Sequence, residues 1–126
     1  MPEYKDYFLK LEDVEKHNSF IGRKPNMADL PDFESNKDKL PEPVWDGHAD
    51  SIEAYYKAWK IAFSNLGKPT EENGVVSPYI DAAFNGDIFL WDSCFMLMFG
   101  KYGDSVFNFQ GTLDDFYCKQ EPDGFI

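Results

Sequence analysis

Trp91 and Asp92 stand side by side where the chain changes character. Ahead of them lies a polar, turn-prone run, Asn85-Gly86-Asp87, and behind them Phe95, Met96, Leu97, Met98 and Phe99 would be apolar on every side of a helix. Such a helix is expected to be buried, so the pair is expected where a surface turn passes into a packed interior. An unpaired buried carboxylate is costly. Asp92 must therefore accept from backbone or side-chain donors, or open onto a cavity where a polar ligand supplies them. In the first case Trp91 is a core residue and Asp92 caps a backbone N–H. In the second the pair is a binding site.

Other residues able to do chemistry form no motif. Asp81, Asp87, Asp114, Asp115 and Asp123 follow no pattern that assigns a proton-transfer role, and most are expected to be caps or solvated charges. Cys94 and Cys118 are the only cysteines, with no CxxC and no histidine pair nearby, so a metal site, a dithiol redox centre and a cofactor are not expected. Both thiols are read as buried or half-buried. Trp45 and His48 could reach a site, although a lone Trp and a lone His more often pack or lie on the surface.

The elements that must position the pair are helical. Asp50, with Glu53 three residues on, reads as a capping-box start, and Ile52, Tyr55, Tyr56, Trp59, Phe63 and Leu66 then fall on one stripe before Gly67 and Pro69 end the helix. A loop over 70–78 leads to a second helix starting at Phe89 or Leu90 and ending at Gly100 or Gly103. Asp104 or Ser105 is expected to cap a third helix over 105–119, with Val106, Phe109, Leu113, Phe116 and Tyr117 on its apolar face and Gly111 weakening it slightly. Residues 120–124, Gln-Glu-Pro-Asp-Gly, read as a turn. Phe125 and Ile126 then begin something apolar, and the chain is expected to be the N-terminal piece of a longer protein.

Residues 1–44 read as an extended, irregular lead-in laid over another surface, with a short helix at most near 11–16. Scattered anchors (Tyr4, Tyr7, Phe8, Leu9, Leu11, Phe20, Ile21, Phe33) lie among Pro25, Pro31, Pro41 and Pro43. Residues 40–44, Leu-Pro-Glu-Pro-Val, read as a stiff connector to the helical part, 45–126.

With 126 residues, 43% of them hydrophobic, the chain can build one small domain with a modest core. Twenty-three acids against twelve bases give a formal charge of -11, and no basic cluster interrupts it, which argues against nucleic acid or an anionic membrane as partner. The charged N-terminal region holds no signal-peptide core, and no run reaches transmembrane length, so a cytoplasmic protein is expected.

The run Asp87-Ile-Phe-Leu-Trp-Asp-Ser93, followed by an apolar helix, a Gly-containing turn, a further helix and Pro-Asp-Gly-Phe-Ile126, resembles the opening of the catalytic domain in six-hairpin glycosidases. The groups it is most similar to are the trehalases, the mannosyl-oligosaccharide glucosidases and the mannosylglycerate hydrolases. In trehalases an aromatic residue, any residue and then Trp-Asp open an inner barrel helix, and a Gly-Phe/His-Ile turn follows about one hairpin later. Phe89, Trp91, Asp92 and Phe125-Ile126 fall in those places. Phe84 and Cys94 stand where the trehalase signature carries an arginine and an aromatic, so the resemblance points to the broader superfamily rather than to trehalose.

The resemblance implies an all-α fold, the N-terminal part of an (α/α)6 toroid, with the first and third helices in the outer ring and the second in the inner. It implies an inverting glycoside hydrolase acting on an α-linked gluco- or mannoside of a small saccharide. Phe89, Trp91 and Asp92 would be substrate-binding residues: an indole can cover the C–H face of a pyranose while a carboxylate accepts from adjacent hydroxyls. Inversion needs one carboxylic acid on the leaving oxygen and one carboxylate base for water. In these families both lie on later hairpins, beyond this chain. The alternative is a small non-catalytic helical interaction or carbohydrate-binding module. The partners expected are a small saccharide and either the remainder of the barrel or a second copy of the chain.

Overall fold

The computed structural model describes residues 17–82, 86–122 and 124–126. Its elements are helix α1 (Ala49–Ser64), a two-stranded antiparallel pair β1 (Leu66–Gly67) and β2 (Tyr79–Ile80), helix α2 (Leu90–Gly100) and helix α3 (Gly111–Tyr117). Short 3-10 turns occupy Lys37–Lys39 and Lys101–Gly103. Apart from the strand pair the fold is all-α among the described residues. Among the described residues no helix is long and apolar enough to cross a membrane.

Helix α1 begins one residue before the expected cap. His48 holds the N-cap position without a side-chain hydrogen bond, its imidazole being stacked on Trp45 at 4.1 Å. Its carbonyl accepts from the N–H groups of Ser51 and Ile52. Asp50 therefore lies inside the first turn, where its charge faces the positive end of the helix dipole. The aromatic stripe packs as its spacing requires: Trp59 and Phe63 are buried, and Ile52, Tyr55, Tyr56 and Leu66 are half-buried beside them.

The core is aromatic and assembled edge to face. Trp59 meets Phe63 at 6.3 Å, Phe99 at 5.5 Å and Phe109 at 6.0 Å, and Phe33 meets Phe63 at 6.0 Å. Edge-on rings set the positive rim of one against the negative face of the next, which adds to the area they bury. Leu40, Ala62, Ile80 and Phe107 complete the cluster. Phe33 and Leu40 reach it from the irregular segment ahead of α1, which lies over the helices. Asn26 N–H donates to Val76 O at 2.8 Å, Tyr55 O–H donates to Pro41 O at 2.6 Å, and Phe20 stacks on Tyr117. The anchors at Tyr4, Tyr7, Phe8, Leu9 and Leu11 and the helix expected near 11–16 lie outside the described residues.

The strand pair is not legible in the sequence. Leu66 pairs with Ile80 and Gly67 with Tyr79. A Cβ at Gly67 would run into the Tyr79 ring, so only glycine lets the strands close.

Two expectations are corrected. Helix α2 runs from Leu90 and passes at Gly100 into the 3-10 turn, at the expected bounds, but it is not buried all round. Ser93 and Gly100 are buried, Met96 and Leu97 pack against the core, and Leu90, Trp91, Phe95, Met98 and Phe99 are exposed. The neighbouring elements cover only one side of it. The third helix spans Gly111–Tyr117 instead of 105–119. Phe107 and Phe109, two residues apart, would point to nearly opposite sides of a helix. Successive turns over 103–110 bring both rings into the core, 4.9 Å apart. Gly111 then opens α3 because a Cβ there would stand 2.8 Å from the Pro78 carbonyl oxygen.

The turn expected at 120–124 forms around Gly124, whose φ is +90°, with Gly124 N–H donating to Glu121 O at 2.8 Å.

Candidate functional site

Phe89, Trp91 and Asp92 come together at the N-terminal turn of α2. Phe89 is the N-cap residue in extended conformation, and its carbonyl accepts from Ser93 N–H at 2.9 Å. Steps of about 100° then carry the next side chains from solvent to interior. Trp91 is 75% exposed, Asp92 is half-buried and Ser93 is fully buried, its Oγ without a hydrogen-bond partner. Trp91 thus stands outside the packed interior in which it was expected. Its ring rests edge-on against Phe95, one turn further along, at 5.3 Å.

Asp92 is not a capping acid. Among the described residues its carboxylate has no hydrogen-bond or ion-pair partner. It gains from the helix dipole in the first turn, and both oxygens remain able to accept. The arrangement is a flat apolar ring beside a carboxylate without donors, the two directed about a quarter-turn apart.

A second feature lies further along α2. An apolar groove of about 600 Å³ runs between α1 and α2, with Tyr55, Ile61, Ala62, Met96, Phe99 and Tyr102 among its lining residues. None of its twelve lining residues is charged. Trp45 and His48 stack on each other, and among the described residues no ring contact joins them to Trp91.

Among the described residues the most perturbed acid is Asp115, to which no sequence motif assigns a role. Located on α3, it is 3% exposed, and its Oδ1 accepts from the N–H groups of Val76 at 2.9 Å and Ser77 at 2.8 Å. Its Oδ2 is buried without a partner. Burial pushes its pKa up to about 6, against the opposing pull of the two N–H donors; Asp114 raises it further and Lys119 lowers it. On the same helix Thr112 Oγ1 accepts from Ile80 N–H at 3.0 Å, and Asp114 meets Ser77 Oγ at 3.3 Å and Arg23 at 3.5 Å. These side chains clamp residues 76–80 to α3. Asp115 also lines a cleft of mixed polar and apolar character, about 410 Å³, with Tyr79, Asp87, Ile88 and Lys119. Its covered Oδ2 suits a structural clamp better than a proton donor, which must reach its substrate.

Of the other acids, Asp81 accepts from Ala82 N–H, and Asp123 lies outside the described residues. Cys94 is exposed, contrary to the expected buried thiol, because it occupies the uncovered side of α2. Cys118 is half-buried; burial and the nearby Asp115 charge raise its thiol pKa, and its S–H donates to Asp115 O at 3.1 Å. Among the described residues no cluster of His, Cys, Asp or Glu could hold a metal ion.

Comparison with protein-family models, with curated proteins and with solved structures gave no match.

Proposed function

We propose that this chain is the N-terminal portion of a glycoside hydrolase of the six-hairpin (α/α)6 type, acting on an α-linked glucoside or mannoside of a small saccharide. In this reading Phe89, Trp91 and Asp92 form one wall of the sugar site. The carrying observation is Trp91, largely exposed, beside the half-buried carboxylate of Asp92, which has no partner among the described residues. An indole face left in water gains from contact with a pyranose C–H face, and a free carboxylate gains from two adjacent hydroxyls. One ring and one carboxylate make a weak grip, of about millimolar affinity.

The architecture is compatible with this reading. Helix α2 would belong to the inner ring and α1 and α3 to the outer, and the uncovered side of α2 would face the barrel funnel. The general acid and base of an inverting mechanism would lie on other hairpins. Asp92 serves as the sugar's hydrogen-bond acceptor and Asp115 as a clamp, which leaves neither as a proton donor to the leaving oxygen.

The test is an NMR titration following the indole N–H signals of Trp45, Trp59 and Trp91 with methyl α-glucoside, methyl α-mannoside and trehalose. A saturable shift of the Trp91 signal with one sugar, abolished by Asp92→Ala, is expected. Equal drift of all three signals, or none, would sink the proposal. A second reading, a non-catalytic helical interaction module, is favoured by the uncharged groove between α1 and α2.

A further inference from the structure

We propose that the uncovered face of α2 and the groove beside it form a two-fold interface with a second copy of this chain. Trp91, Phe95 and Met98, spaced i, i+4 and i+7, form a ridge in which the three side chains are 75%, 56% and 65% exposed. Leu90 on the first turn of α2, and Tyr102 and Ile61 of the groove lining, are exposed as well. At roughly 200 Å² for a full large side chain, the exposed fractions of these six residues amount to on the order of 700 Å². The largest apolar patch on an ordinary monomer is about 300–600 Å². A standard interface buries about 800 Å² on each partner. The summed exposed area is thus close to what one partner of a stable pair buries.

Its shape points to a second copy. A two-fold interface uses the same patch on both subunits, so the patch must carry both a projection and a matching recess. Here the ridge lies on the same helix whose Met96 and Phe99 line the 600 Å³ groove between α1 and α2, and the two can exchange: the ridge of each copy enters the groove of the other. The charge distribution agrees. Each copy carries a formal charge of -11, yet none of the groove-lining residues is charged, and Asp92 is the sole charged side chain on α2. Repulsion between copies therefore acts around the interface and not across it. The sugar site and the ridge share Trp91, so pairing covers the indole that a sugar would use; the two proposals are told apart by measuring mass without sugar and sugar response in a variant that does not pair.

The test is sedimentation equilibrium of the whole chain from about 1 µM to about 1 mM, in low and in high salt. The mass should rise with concentration from 14.6 kDa to twice that value and stop there. Salt should tighten the pair by screening the acidic surfaces, whereas an interface held by ion pairs would loosen. Met98→Glu in the ridge and Ile61→Arg in the groove, both at exposed positions, should each weaken association about thirtyfold or more. An equimolar mixture of the two variants should restore pairing, since one half of the mixed interface is native and the other sets Glu against Arg. A monomer at every concentration, a ladder of larger species, dimers that survive both substitutions, or a mixture that stays monomeric would each overturn the proposal. Because pairing covers Trp91, the Met98→Glu variant should show a Trp91 sugar response at least as strong as the parent's; a monomeric variant with no such response would sink the sugar reading alone.

Discussion

Asp115 offers a test of what holds the segment 76–80 in place. Its folded-state pKa is raised from 3.8 to about 6. Between these values the folded protein holds a proton that the unfolded chain has released. The stability contributed by the neutral acid is therefore fully present below about pH 4 and lost as pH rises through about 6. At about 1.4 kcal/mol per pH unit, the shift corresponds to at most about 3 kcal/mol. Asp115→Asn keeps a carbonyl oxygen for the N–H groups of Val76 and Ser77 and removes the charge. Its amide N–H groups meet the same lack of a partner at the Oδ2 position, a cost that does not change with pH. The assay is urea denaturation of both proteins from pH 4 to pH 8. The stability of Asp115→Asn relative to the parent should rise by about 2–3 kcal/mol across that range, most of it between pH 4.5 and pH 6.5. Taking the difference removes the other carboxylates, including Asp32, whose pKa is lowered by the Ser35 N–H and whose effect has the opposite sign. A difference that stays flat with pH would refute the reasoning. Asp115→Ala, which orphans both N–H groups, should cost about 2–4 kcal/mol at pH 4, and because it removes the same titrating group that cost should shrink by about the same 2–3 kcal/mol toward pH 8.

Two further substitutions probe the same frame. Thr112→Val preserves volume but leaves the buried Ile80 N–H without an acceptor; a loss of about 1–3 kcal/mol should appear in denaturant melts and be recovered by Thr112→Ser. Phe109 is fully buried among Trp59, Phe99 and Phe107, so Phe109→Ala should cost about 3–5 kcal/mol, read as a lowered thermal midpoint.

Elements whose own residues carry the signal are legible in the sequence. The aromatic stripe of α1 and the bounds of α2 follow from helical spacing and from the glycines and proline that interrupt it. Helix α3 is legible only in part, because its buried face is small and polar. Gly111, Thr112 and Asp115 point inward, while Tyr117, counted on the expected apolar face, is exposed. The one trace of this in the sequence is the spacing of Gly111, Thr112 and Asp115 on one side of a helix, a pattern that hydrophobicity alone does not select. The candidate site is legible as a trio of neighbours, Phe89, Trp91 and Asp92; the exposure of its indole is not.

The sequence by itself determined an all-α chain, the two longer helices, the turn at 120–124 and a strongly acidic surface, because each depends on residue type and spacing within one stretch. Only the tertiary structure decided that α2 keeps an open face, that Asp115 is buried and that β1 pairs with β2. Burial depends on which other element arrives to cover a residue. An apolar helix records that it can be buried, and the number and placement of its neighbours decide how much of it is.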